Sequence, residues 1–280
     1  MNLWYALVEL LPFEWAAPGG MYFMKHALLA LLVISPLFGL LSTMVVTRRM
    51  SFFSDALGHS AFTGIAAGAL AGLSEPLVGA VIFSALLALL FTYVRRRTHL
   101  GSDTVIGVFS STAVALGIFI ATLGGGSFTK FNSYLIGDIL SVTPQKISIL
   151  ALIFLFTLGF WAVCYNRLML SAIHPALADS RGIKLFWQEA IFSVAVAVVV
   201  TLSMTWVGLL VINSLLVLPA AAARNLAKNM WHYHLISILS ALVAGIAGLL
   251  TSYYAGSSTG SCITLYLAAW FALSFCIRRT

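Results

Sequence analysis

Apolar runs of about 20 residues recur along the whole chain and are separated by short polar breaks. A helix of that length crosses a hydrocarbon layer of roughly 30 Å. The pattern therefore predicts an all-α, polytopic membrane protein with a single transmembrane domain over residues 1–280. We expect nine crossings, or eight if the run 208–223 does not fully cross. No region remains for a soluble domain.

The breaks define the limits of the predicted spans. Spans are expected at about 25–47, 52–73, 76–97, 104–123, 147–165, 191–206 and 208–223, followed by two spans that end at Arg278 and Arg279.

Three further segments are predicted to lie outside the spans. Residues 1–20 form an interfacial segment with Trp4, Tyr5 and Trp15 at headgroup level. Residues 129–143 form a short or re-entrant helix that ends at Pro144. Residues 166–187 are the longest cytoplasmic break.

Composition and charge agree with a membrane protein. Hydrophobic residues make up 61% of the chain and charged residues 8%, against roughly 25% charged in an ordinary soluble domain. The net charge of +7 comes from basic clusters in the breaks. If these breaks face the cytoplasm, the positive-inside rule explains the charge, and a nucleic-acid partner is not needed. Most of the basic residues share this location: Arg48, Arg49, Arg95, Arg96, Arg97, Arg167, Arg181, Lys184, Arg224, Lys228, Arg278 and Arg279.

The second predicted span carries an acid and an imidazole, Asp55 and His59. Residues four apart share a helix face, with Cβ atoms about 5–6 Å apart, so both side chains can bind one small ion. His59 lies roughly 14 Å along the helix from Met50. This position is near mid-membrane, where an ionisable side chain is functional by default. A carboxylate with an imidazole suits zinc, manganese or iron(II). The alternative is that Asp55 caps the helix and His59 bonds a neighbouring carbonyl.

A row of small residues runs along the same span, next to the Asp55 row. Small residues at four-residue spacing let membrane helices approach closely, so we expect this ridge to pack against another helix. Ile65 is expected to face lipid. The ridge consists of Ala56, Ser60, Gly64, Gly68 and Gly72.

Four segments of the chain resemble the ABC-3 family of metal-import permeases, the membrane subunits of bacterial zinc and manganese ABC transporters. The first is R48-R-M-S-F-F-S-D-A-L-G-H59, in which Ser54 stands where the family commonly has Gly. The others are S102-D-T-V-I-G107, Y134-L-I-G-D-I-L-S-V-T-P144 and V207-G-L-L-V-I-N-S-L-L-V-L-P-A-A-A-A-R224.

This resemblance implies a type II ABC importer fold in the bacterial plasma (inner) membrane. Two permease copies form the pathway, two ATPase subunits bind inside, and an extracytoplasmic metal-binding protein docks outside. Asp55 and His59 inherit the role of pathway ligands. The transported ion is Zn²⁺ or Mn²⁺, with zinc slightly favoured, and no permanently bound cofactor is expected.

The chain has no Walker A pattern, so ATP hydrolysis is expected on a separate subunit and the chain itself is not an enzyme. The predicted contact with that subunit lies in 171–184, where Ala178 and Gly182 are four apart on one face of a short helix. The segment resembles the family's coupling segment, in which Pro is followed by Ala-x-x-x-Gly. The residues assigned to ATPase coupling are Pro175, Ala178, Arg181 and Gly182.

Two further polar residues, Asp138 and Asn213, either line the pathway or bridge helices. A secondary-active metal transporter is the alternative function, because it too needs ligands inside the membrane. An intramembrane protease is disfavoured, since neither His-Glu-x-x-His nor Gly-x-Gly-Asp occurs in the chain.

Overall fold

The computed structural model describes residues 2–98, 100–123 and 137–277, and the described part is helical. Two 3-10 helices cover Glu14–Ala16 and Ile139–Ser141. The α-helices are α1 Asn2–Val8, α2 Tyr22–Thr47, α3 Phe53–Leu70, α4 Pro76–Arg97, α5 Ser102–Leu123, α6 Pro144–Ile173, α7 Pro175–Ser180, α8 Leu185–Val207, α9 Leu209–Leu226, α10 Met230–Ala255 and α11 Thr259–Ile277.

Eight of these helices are long and apolar enough to cross a membrane: α2, α4, α5, α6, α8, α9, α10 and α11. The remaining long helix, α3, has 18 residues, but Asp55, His59 and its many small residues lower its hydropathy. It is instead buried among other helices along most of its length. The prediction of an all-α protein with eight or nine membrane helices is confirmed, but the helix that falls short is α3, whereas the run 208–223 lies in the candidate span α9.

The predicted break 166–187 is mostly helical. Helix α6 continues to Ile173, because Leu168 and Met169 are buried in the protein core and Ser171 accepts a hydrogen bond from Arg48. The linker that remains holds the six-residue helix α7. The span expected at 147–165 is therefore longer at both ends.

Part of the helix predicted at 129–143 falls on residues 129–136, which lie outside the described residues. The rest of that segment contains one 3-10 turn, Ile139–Ser141, and Pro144 begins α6. The cluster Arg278 and Arg279, predicted to end the last span, also lies outside the described part of the chain.

The N-terminal segment packs on the start of α2. Trp4 Nε1 donates to the Lys25 carbonyl oxygen at 2.9 Å, and Tyr5 Oη lies 2.7 Å from His26 Nε2. The Lys25 ammonium is fully buried and donates to Glu9 at 3.0 Å. Trp15 was expected at the headgroups, but it is 1% exposed because residues of this segment and α2 cover it.

Two groups of helices make up the bundle. Helices α2, α9, α10 and α11 pack against one another, and α3 packs between α4 and α5, with α8 against α4. Helix α3 also contacts α9, which belongs to the first group. The Asp55 and His59 side chains lie on α3, so this boundary between the groups positions the candidate site.

Candidate metal pathway

Asp55 and His59 form a pair on the first turns of α3. Asp55 Oδ2 lies 3.6 Å from His59 Nε2, and the two side chains are 48% and 35% exposed. The residue at the N-cap is Phe52, and no side chain caps this end of the helix. The capping alternative for Asp55 is therefore wrong, because the carboxylate turns along the helix toward the imidazole instead of back to the free amides.

A second helix brings an amide to this pair. The Asn213 side chain on α9 lies next to the Asp55 carboxylate. Its Oδ1 atom is buried and has no hydrogen-bond partner within the described residues. Because a buried amide oxygen without a partner costs free energy, Oδ1 is available to a cation that arrives between α3 and α9.

His59 and Asn213 both line a cavity of about 800 Å³. Asp138 also lines it, so the polar residues selected from the sequence converge here, with Asp55 beside the cavity. One Asp138 oxygen already accepts from the Leu140 backbone amide at 3.0 Å. The turns that join α8 to α9 and α10 to α11 form other walls.

Backbone close to the cavity is packed tightly through two glycines. Gly208 has φ of 99° and joins α8 to α9, and the Gly137 carbonyl group lies against it. A Cβ at Gly137 would come within 2.5 Å of the Met204 carbonyl oxygen. A side chain at either glycine would separate the two walls. Nothing in the local spacing of the sequence predicted this contact between distant segments.

The metal-binding capacity of the site is small. Within the ranges that the structure describes, no three His, Cys, Asp or Glu side chains come together as a metal cluster. If Asp55 and His59 bind an ion with the amide nearby, they leave coordination positions open. An ion held by so few ligands can leave again, which suits transport better than permanent binding.

The small-residue ridge of α3 faces α4. A Cβ at Gly64 would lie 2.5 Å from the Gly79 carbonyl oxygen, and Ser60 Oγ lies 2.9 Å from Ser84 Oγ. At Gly68 a Cβ would lie 3.3 Å from Leu73 Cδ1 and 3.5 Å from the Gly79 Cα atom, so the packing there is tight but looser than at Gly64.

Two expectations about this helix are wrong. Gly72 lies beyond its end with φ of 73°, so it forms the turn and does not extend the ridge. Ile65, expected to face lipid, is 1% exposed because helices pack around α3 on more than one side.

The predicted coupling segment has a different surface from the one expected. Pro175 begins α7 and Arg181 is its exposed C-cap. Ala178 is fully buried within the chain, and Gly182 lies past the helix with φ of 72°. Ala178 and Gly182 therefore do not share an exposed helix face. Sequence reasoning missed Leu177, an apolar side chain that is 45% exposed on α7.

The sequence was compared with known families and proteins. The sequence model of the ABC 3 transport family matches residues 20–278. The manganese import system permease protein ScaB of Streptococcus parasanguinis is 30% identical over 91% of each chain. The high-affinity zinc uptake system membrane protein ZnuB of Haemophilus influenzae is 28% identical over 90% of this chain and 97% of its own.

A solved structure has the same fold. In the structure of PsaBC from Streptococcus pneumoniae in complex with Fab, one chain superposes with a TM-score of 0.77 and is 26% identical. The match covers 98% of this chain and 95% of that one.

Proposed function

The chain belongs to the ABC 3 transport family, and on that premise we propose that it is the membrane permease of an ATP-driven importer of a divalent transition metal. The observation that carries the proposal is the pair Asp55 and His59, which meets Asn213 at the wall of a cavity inside the bundle. Relatives named for manganese and for zinc both match this chain, so the family leaves the choice between the two metals open.

The chemistry of the donors supports a transition-metal cargo. A carboxylate, an imidazole and an amide oxygen accommodate Zn²⁺ and Mn²⁺, whereas Mg²⁺ and Ca²⁺ bind preferentially to oxygens alone. An ion beside His59 is attracted by the negative charge of Asp55. The Asn213 amide oxygen can replace one of the water molecules of its hydration shell. The open positions let water or other ligands replace these contacts when the ion moves on.

Energy must come from another subunit, because the sequence contains no nucleotide-binding motif. In the proposed assembly, two ATPase subunits dock at the cytoplasmic end through α7, with Leu177 as the apolar contact. A second permease copy completes the pathway, and a metal-binding protein delivers the ion from outside. The chain resides in the bacterial plasma (inner) membrane.

The test is metal accumulation in cells that lack the gene and carry either the wild-type protein or a variant. We expect Asp55→Asn and His59→Ala each to abolish uptake of zinc or manganese under limitation of that metal, with normal protein abundance. Glu75→Gln, which changes an exposed acid in the turn between α3 and α4, is the matched control for charge. Normal accumulation in both site variants would refute the proposal.

The alternative function, a secondary-active metal transporter, predicts uptake driven by an ion gradient. Purified protein in proteoliposomes distinguishes the two. Uptake that requires the ATPase and ATP supports the proposal, whereas uptake from a proton or sodium gradient without the ATPase supports the alternative.

A further inference from the structure

Arg48 is a buried guanidinium group at the cytoplasmic end of α2, and it contacts two other helices. Its Nη2 donates to the Leu168 carbonyl oxygen at 3.1 Å and to Ser171 Oγ at 2.8 Å, both on α6. Its Nη1 lies 3.8 Å from Glu189 Oε1 on α8. The guanidinium carbon lies 5.2 Å from the centroid of the Phe192 ring. Arg48 is 5% exposed, so these contacts exclude water.

Glu189 is shared between two arginines. Arg96 Nε on α4 donates to it at 3.0 Å, which is closer than Arg48. Burial lowers the pKa of Arg48 to about 10, and the negative charge of Glu189 opposes that shift. A buried charge is costly, and here a single carboxylate faces two cations. Glu189 on α8 therefore faces both the end of α2 and the end of α4.

Arg48 is connected to the helix of the proposed metal ligands through the short turn between α2 and α3. Its backbone amide donates to Met44 at the end of α2, and the next residue, Arg49, has φ of 56°. Met50 is buried, and its carbonyl oxygen accepts from the Phe53 amide at the start of α3. This hydrogen-bonded turn leaves little freedom between α2 and α3, which carries Asp55 two residues later.

Arg48 is also connected to the proposed ATPase contact, through its hydrogen bonds to the end of α6. Ser171 lies in the last turn of α6, and only His174 separates that helix from α7. The His174 amide donates to the Leu170 carbonyl oxygen of α6 at 2.9 Å, and its own carbonyl oxygen accepts from the Ala178 amide of α7 at 3.0 Å, so this single residue joins the two helices.

We propose that Arg48 is the positioning residue through which displacement of α7 reaches Asp55 and His59. The inference rests on the proposed function. Only the planar guanidinium can donate to Leu168 and Ser171 while facing Glu189, because a lysine ammonium is a single point charge. Lysine would keep the charge and lose the simultaneous contacts to α6 and α8.

The experiment uses the complete transporter, permease with ATPase, in proteoliposomes, and measures metal imported per ATP hydrolysed. Arg48→Lys and Ser171→Ala should each leave assembly and ATP hydrolysis intact but lower this ratio about three- to tenfold. The double variant should show no further fall, since both changes break the same link. Arg97→Lys is the matched control, because Arg97 lies over the Tyr93 ring at the end of α4, away from α6.

The outcomes separate this inference from the proposed function. An unchanged ratio in both variants, an equal fall in Arg97→Lys, or loss of assembly in both variants would overturn the role of Arg48. Absence of ATP-driven metal import by the wild-type transporter would overturn the proposed function and the inference with it. If the wild-type transporter imports metal with ATP and the variants import as much metal per ATP hydrolysed, only this inference is overturned.

Discussion

Asn213 supplies the third polar group of the candidate site through an oxygen that no described residue satisfies. The Asn213→Ala variant removes that oxygen and leaves Asp55 and His59 in place. Loss of a group that supports metal ligands typically costs 10- to 100-fold in affinity. We expect the concentration of metal for half-maximal uptake to rise about tenfold, with a smaller change in maximal rate. Uptake kinetics measure this effect.

Asn225→Ala is the control for the Asn213 variant. Asn225 lies near the other end of the same helix, where its side-chain amide donates to Ser274 Oγ on α11. Identical uptake kinetics for the Asn213→Ala variant and the wild type would show that this amide only bridges helices.

The sequence predicted the Asp55 and His59 pair, because four-residue spacing on a helix fixes two side chains on one face. The proximity of Asn213 could not be derived in this way. It depends on how α3 and α9 cross, which is set by packing between residues more than 150 positions apart in the chain. The burial of Ala178 was missed because it too depends on tertiary packing, which removes this small residue from the proposed docking surface.

At the scale of elements, the contact between α3 and α4 depends on Gly64. Alanine there would place a methyl group 2.5 Å from the Gly79 carbonyl oxygen and 2.7 Å from the Ala80 Cα atom, both on a rigid helix. Overpacking of this kind costs about 1–3 kcal/mol. We expect Gly64→Ala to lower the melting temperature of the purified protein and its abundance in the membrane.

Gly159→Ala is the matched control in helix α6, where a new Cβ would meet nothing within 4 Å. It should leave the melting temperature unchanged or raise it slightly, because alanine favours helix. Equal melting of the two variants would contradict the close packing of α3 on α4.

Helix existence was predictable from apolar runs, whereas helix ends were not. The polar residues Asn166 and Arg167 suggested a break, yet α6 passes through them because Leu168 and Met169 find a buried face. Gly72 continued the four-residue spacing of the ridge, yet α3 ends before it and the chain turns there. Tertiary contacts decided the end of α6, whereas the end of α3 is local, because Gly72 takes a positive φ and the Leu73 amide donates back to the Gly68 carbonyl oxygen at 2.9 Å.

For the whole molecule, the basic clusters and the helix order place α7 and the arginine-rich turns at one end, whereas the cavity lies farther into the bundle, at His59 and the turn between α8 and α9. The proposed metal site and the proposed ATPase contact are therefore separated along the bundle. The proposed ATPase contact is an apolar side chain on a short helix, Leu177, which is 45% exposed. When a partner buries such a side chain, the free energy of the complex falls. A charge at that position would oppose burial.

Leu177→Glu should therefore weaken association with the ATPase about tenfold or more, as expected for a hot-spot residue at the centre of an interface. Co-purification of the ATPase and its affinity for the permease in detergent measure the effect. Leu73→Glu is the control, because Leu73 is similarly exposed at 44% but lies in the turn after α3, at the other end of the bundle. If both variants retain the ATPase equally, the ATPase docks elsewhere on the cytoplasmic end, and the arginine-rich turn at the end of α4 becomes the next surface to test.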